Sequence, residues 1–557
     1  MSQVLITGEI SLVSSRLPRG TSVHLALAER VTEPMHVRRR ILSCLVLMMG
    51  LSLLSGCKVT GEDIDYWKRT QKGPGKIVAV MLADRYPIDL RIKAALALVE
   101  MERQDEDGVA LLQQSLQTLQ SQDAGAVEEI VAGMVPGLLE MMSGSDENAD
   151  DDLGPPPRQT RAKDAAYLLI PHASPQARQQ LTDAVVGWYA ADFANRSLAG
   201  NYSAEQVVRS LGSPAARQMV EGLNAHMPQQ ALVKVTELIG QIGDEETKQA
   251  AGERLVAIER EMESSEFIDW LKSEIREAME GQEVSDDRIT NIAVVNRENF
   301  LNDGAFPAMK HLAGQDAVRT RLLEVASAAP PASMPAGAQE AINLRRQKAL
   351  MALEGNIEEP QLDQVLTLAL DENNPINVRD YAFDRVGDAR SRTAIPRLWP
   401  LVESADNDDL KKRLRWRAGE LVLALGGSDV IPEFLTKLPG GDAEYEPEEL
   451  EGYATRMSQM TPQPVEVVER QLSAPEWFKR VLALRFIERR GTQADVAKMQ
   501  RLSSDRAETV GDSWERLELT TVGAVATDAI EELQERLASP DDEPAAAEEA
   551  EAAEGGE

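Results

Sequence analysis

Two cysteines are the only thiols in 557 residues, and their placement is the first chemical fact of the chain. Cys44 lies inside the apolar run Ile41 to Leu54, and Cys57 closes the small-residue stretch Leu54-Ser55-Gly56-Cys57. Arg38, Arg39 and Arg40 precede that run, so Met35 to Cys57 has the order of a secretory leader: basic, apolar, small. The run is short against the roughly 20 apolar residues that cross a bilayer as a helix, which reads against a membrane span. A leader removed before Cys57 leaves no second thiol for a disulfide, a thiolate nucleophile or a cysteine-based metal site.

Other reactive side chains lack the spacing that chemistry needs. His24, His36, His172, His226 and His311 are isolated from one another and match no metal-ligand pattern. Gly73-Pro74-Gly75-Lys76 invites a phosphate-loop reading, but no Ser or Thr follows Lys76 and the Walker spacers are missing, so it reads as a turn. Asp146, Glu147, Asp150, Asp151 and Asp152 fall in an acidic, proline-rich stretch. A solvated linker is the preferred reading there, with calcium capture as the alternative, because the ligand spacing and glycine of a calcium loop are not in place. Carboxylates are abundant, but abundance without an enclosing arrangement is a charged surface. The chain is therefore expected not to be an enzyme, with no catalytic residues, no metal site and no cofactor.

The LSGC sequence and its leader resemble the lipobox of bacterial lipoproteins. That resemblance implies lipid attachment at Cys57, as diacylglycerol on the thiol and an acyl chain such as palmitate on the new amino terminus. Two or more chains hold a protein to a membrane where one holds marginally. By the same resemblance Lys58, rather than Asp, directs the protein to an outer membrane, facing the periplasm, with the cell surface as the lesser alternative. Residues 1–34 carry Arg16, Arg19, Arg30 and three glutamates, and they read as an over-extended gene start or, alternatively, a cytoplasmic extension.

The elements that must carry any site are helical. The net charge is -33, with 92 acidic against 59 basic side chains, which opposes capture of nucleic acid phosphates by counterion release. Aromatics are only 4 %, Ala and Leu are common, and 3.6-residue periodicity returns throughout, broken by Gly, Pro and Asp. Ile77 to Leu82, Leu90 to Met101 and Val109 to Leu119 form the first helices, followed by Arg161 to Leu169, Pro175 to Ala190, Ala204 to Leu211, Ala215 to His226, Pro228 to Gly240 and Glu245 to Met262. Asp244 is the expected N-cap of the last. Between Phe267 and Asn302 charge is dense and the pattern blurs, so a junction or an irregular helix pair is expected.

An internal repeat organises the second half. Arg379, Ala382, Val386, Ile395 and Pro396 recur 36 positions later as Arg415, Ala418, Val422, Ile431 and Pro432, and Arg346, Ala349 and Leu353 precede the first set by 33. With Asp371, Pro375, Val378 and Gly387, these positions resemble the HEAT repeat, including its short bacterial variant. The fold class is therefore all-α, an alpha-alpha superhelix of the HEAT/armadillo-like solenoid type, ending in a disordered acidic C-terminal tail. Small Ala382 and Ala418 let helices approach, a turn Asp is expected to pair with the next helix's Arg across units, and hairpins must stack because none buries its apolar face alone.

The expected divisions are 1–34 extension, 35–56 signal peptide, 57–75 anchor linker, 76–142 first helical repeats and 143–157 acidic linker. They continue as 158–338 degenerate repeats, 339–438 HEAT-like repeats, 439–464 polar insertion, 465–538 last repeats and 539–557 tail. Solenoids commonly present extended surfaces for protein recognition. The expected function is a lipid-anchored cell-envelope scaffold or adaptor for one or more envelope proteins, touching the membrane through its N-terminal lipid and binding no nucleic acid. A periplasmic assembly or transport chaperone is the first alternative. A phycobilin-lyase-like enzyme, implied by the short HEAT resemblance, is the second.

Overall fold

Local signals set most helix boundaries. Asp244 accepts the Thr247 amide proton at 2.9 Å and opens Glu245–Met262, satisfying one of the four donors that a helix start leaves unpaired. Proline stands in the first turn of eight or more helices, where its missing N–H costs nothing; Pro396 opens Ile395–Val402 and Pro432 opens Ile431–Lys437 at matching repeat positions. The computed structural model describes residues 58–101, 107–144 and 157–538. Cys57, the acidic cluster from Asp146 to Asp152 and residues 539–557 lie outside them.

Residues 58–63 form the described part of a first unit, in which the Thr60 amide and hydroxyl donate to Asp63 Oδ2 at 2.8 and 2.9 Å. The second unit, from Ile64, is an all-helical solenoid of stacked helices; no strand is assigned among the described residues, where one isolated bridge joins Glu508 and Thr521. In chain order the helices of the described residues begin with α1 (Gly61–Trp67), α2 (Gly73–Leu82), α3 (Ile88–Glu100), α4 (Gly108–Gln122), α5 (Ala124–Ser143), α6 (Pro157–Leu169), α7 (Pro175–Ala191) and α8 (Phe193–Arg196). Then come α9 (Ala204–Leu211), α10 (Ser213–Gly222), α11 (Gln229–Ile242), α12 (Glu245–Met262), α13 (Ser265–Ala278) and α14 (Asp286–Asn299), and a π turn over Phe300–Ala305. The array continues with α15 (Phe306–Lys310), α16 (Asp316–Ser327), α17 (Ala336–Ala352), α18 (Glu359–Leu370), α19 (Ile376–Asp388), α20 (Ile395–Val402), α21 (Asp409–Gly426) and α22 (Ile431–Lys437). It ends with α23 (Pro447–Ser458), α24 (Val465–Glu469), α25 (Trp477–Arg490), α26 (Gln493–Gln500), α27 (Asp512–Arg516) and α28 (Val522–Ala538).

Stacking produces a continuous row, α15, α17, α19, α21, α23, α25 and α28, each packed on the next, while α16, α18 and α20 pair with α17, α19 and α21. The repeated small residues sit at the seams: Ala349, Ala382 and Ala418 are fully buried. Gly419 lies beside them for a steric reason, because a Cβ there would stand 2.4 Å from Tyr453 Oη.

The structure changes three local expectations. Gly73-Pro74-Gly75 is not a free turn but the first turn of α2; Gly73 abuts the end of α1 so closely that a Cβ would meet Trp67 O at 1.8 Å. The repeat arginines do not chiefly pair with turn aspartates across units. Arg91, Arg346 and Arg379 each donate Nε–H to a last-turn carbonyl of the preceding helix: Met81 O at 2.9 Å, Ala326 O at 2.8 Å and Ala369 O at 3.0 Å. Such a contact satisfies an acceptor that the helix itself cannot and places a cation at the negative end of its dipole. Thirdly, residues 439–464 hold α23, with Leu450, Tyr453 and Ala454 fully buried, rather than a purely polar insertion.

Candidate functional site

The row of helices from α15 to α23 exposes a trough with two adjoining cavities. The first, about 360 Å³, has an apolar floor of Phe306, Pro307, Met351, Ala352 and Tyr381, rimmed by Lys310, Lys348, Glu354, Asp384 and Arg385. The second, about 920 Å³, extends over α17, α19 and α21 to the start of α23 and is bordered by six carboxylates, Asp380, Asp384, Asp409, Glu420, Glu446 and Glu449, against Lys412, Arg413 and Arg417. Tyr381 and Asp384 line both. The repeat geometry explains this arrangement, since helices α17, α19 and α21 each present the same face and positions one repeat apart become neighbours.

Ion pairs cross the trough wall from one repeat to the next. Arg413 pairs with Asp380 and Arg417 with Asp384, while Lys412 reaches Glu446 at 2.9 Å and Glu444 at 3.3 Å. Glu446 and Glu444 hold the Lys412 ammonium above its ordinary value. Burial pushes the Asp380 carboxyl up, against the pull of Arg413 and Arg417. Two polar atoms here are buried and unpartnered, Asp380 Oδ1 on α19 and Trp416 Nε1 one repeat further on. One is an acceptor and the other a donor, and both are closed off from solvent.

Beneath the second cavity lies a dry polar core. Arg415 and Glu449 are essentially inaccessible and meet bidentately, Nε to Oε1 at 2.9 Å and Nη2 to Oε2 at 2.8 Å, with the Tyr453 hydroxyl donating to Oε1 at 3.0 Å. Burial disfavours charge on the Arg415 guanidinium, but Glu449 more than offsets this and holds it above its ordinary value. Arg379, by contrast, has no paired carboxylate, and burial lowers it. Both arginines are thus tied to the helices around them, Arg379 through Ala369 O and Arg415 through Glu449. The repeat offset marks Arg379 and Arg415, whereas Tyr381, Trp416 and Glu449 carry no comparable signal.

His172, His226 and His311 are not brought together, and no group of three or more His, Cys, Asp or Glu fit to hold a metal occurs among the described residues. Among them, too, no helix is long and apolar enough to cross a membrane. The expected attachment residue, Cys57, falls outside the described residues.

No family model matches the chain, and no curated protein matches it. Solved structures that match include Kap121p alone, at 14 % identity and TM-score 0.37, covering 92 % of this chain and 51 % of that one. Others are the karyopherin Kap121p bound to the SUMO protease Ulp1p, at 14 % identity and TM-score 0.34, with 90 % and 50 % covered, and Kap121p bound to Nup53p with the same figures. This chain thus spans about half the length of the chains it matches.

These findings correct the reading as a bacterial lipoprotein. The described residues form an all-helical solenoid, and the lipobox resemblance, confined to four residues and a leader, lies outside them. The outer-membrane location facing the periplasm, the lipid contact with a membrane and the role as an envelope scaffold for envelope proteins depended on that resemblance and are withdrawn with it.

Proposed function

We propose that the solenoid holds polypeptide clients transiently, in the manner of a transport or assembly chaperone, through the trough over α15 to α23. The observation that carries this reading is the pairing of an apolar cavity with an acid-bordered one across a shared wall of Tyr381 and Asp384. Such a surface suits an extended segment that places an apolar side chain in the first cavity and a Lys or Arg in the second. Apolar burial supplies affinity there, while the charge supplies selection and encounter rate. On this reading the charged groups of the lining serve binding.

A peptide array scanned with the full chain tests this. Segments combining an apolar residue with a nearby Lys or Arg should be retained, many unrelated in sequence, and Met351→Glu with Tyr381→Ser should remove most of that retention. Retention unchanged by the double variant, or restricted to acidic segments, would sink the reading.

A further inference from the structure

The hairpin of α13 and α14 stands apart from the stacking that builds the trough. The rows close across its roots: α11 packs on the π turn and α15, and α12 packs on α16, so the hairpin is inserted within a repeat whose neighbours already meet. Its two helices pack chiefly on each other, with further contacts to α12 and to the π turn at their roots. The buried residues of the pair are Phe267, Leu271 and Ile275 on α13 and Ile289 and Ala293 on α14, and at the root Phe267 and Trp270 pack on His226 and Phe300. Away from these, Val294 and Val295 on α14 are 38 % and 58 % exposed.

The arm is fastened. Arg345 of α17 donates to Glu263 Oε1 at 3.0 Å, just before α13, and to Glu298 Oε2 at 2.6 Å, in the last turn of α14. One guanidinium therefore clasps both roots, and Arg276 and Asp286 pair at 3.1 Å across the far end. A pre-set surface loses less conformational entropy on binding than a loose one. Residues 265–299 carry nine acidic and four basic side chains.

We propose that this arm is a second docking surface, for a partner protein that presents an amphipathic helix with an apolar stripe flanked by Lys and Arg. The stripe covers Val294 and Val295 and turns the two-helix arm into a three-helix bundle, in which each helix has a buried side. The flanking cations meet the arm's surplus carboxylates. A second copy of this chain does not fit, because it brings another arm with the same acidic excess, and like charges across an interface select against that pairing.

The probe is a synthetic helix with a Leu stripe and Lys flanks, compared with its Glu-flanked counterpart and added to the full chain at about 0.15 M salt, where screening removes all but close charge contacts. The Lys peptide should bind and protect amides of residues 286–299 from hydrogen exchange, and the Glu peptide should not bind. Val294→Ser with Val295→Ser should weaken binding at least tenfold, and Glu277→Lys with Glu280→Lys should weaken it while leaving the valines in place. Met351→Glu with Tyr381→Ser, which disables the trough, should leave it unchanged. The proposal is overturned by absence of binding, by equal binding of both peptides, by protection falling on the trough, or by a chain dimer that the valine variant dissociates in sedimentation.

Discussion

Arg415 shows how a single side chain can matter to a binding surface without touching what is bound. Its guanidinium and the Glu449 carboxylate are nearly inaccessible, so removing one partner leaves the other charged in a dry interior. Breaking a buried pair in this way costs about 3–5 kcal/mol, whereas replacing both partners with apolar residues of similar volume is often neutral. Arg415→Met should therefore destabilise the α21–α23 region by about that amount in urea unfolding, and Arg415→Met with Glu449→Leu should recover most of it. Equal losses in the single and double variants would deny the pair its role. Steric supports behave differently. Ala382 is fully buried in the seam between α18 and α19, and Ala382→Leu overpacks it, with an expected loss of about 1–3 kcal/mol measured the same way.

The α13–α14 arm carries its own acid sensitivity. Burial raises the Glu298 carboxyl, but hydrogen bonds and charge from Arg345 and Arg297 outweigh it, so the folded group lies below its ordinary value. A depressed carboxyl contributes stability that is complete above the unfolded value, about 4.3, and is lost as pH falls through the folded one. Glu263 and the Arg321–Glu259 pair face the same clasp. Protection factors across 265–299, taken against the intrinsic exchange rate at each pH, should thus fall selectively as pH drops from about 4.3, and Glu298→Gln should show lower protection already at neutral pH. Much of this architecture was legible in the chain. The 36-residue offset that links Leu414 and Ala418 to their predecessors also reaches Leu450 and Ala454, and so marks α23. The composition of GGDAEYEPEEL concealed it. The bonds from Arg91, Arg346 and Arg379 end on carbonyl oxygens, which leave no side-chain signature. Tyr381 and Trp416 become trough residues through contact between repeats, which periodicity within a helix does not report.

At the scale of the whole chain, charge is balanced along the repeats and unbalanced in total. Arg413–Asp380, Arg417–Asp384 and Lys437–Glu403 join residues about one repeat apart, yet pairs with one partner at the surface each contribute only about 0–1 kcal/mol. They fix register more than they stabilise. With 92 acidic against 59 basic side chains, a surplus of 33 carboxylates remains to shape the field, and a Lys- or Arg-bearing client should associate with the trough at a rate that falls steeply as salt rises, while its dissociation rate changes little. Stopped-flow binding across ionic strength checks both. The last 17 residues, with eight acidic groups and no basic one, are a rival source of the same attraction. Deleting Asp541 to Glu557 separates them. If the trough holds the client, the truncated chain keeps its dissociation rate and loses at most part of the salt-dependent association. If the tail holds it, retention disappears with those residues, and Met351→Glu with Tyr381→Ser has no effect in the intact chain. The two sets of variants thus assign attraction and retention to different parts of one molecule, which neither set does alone.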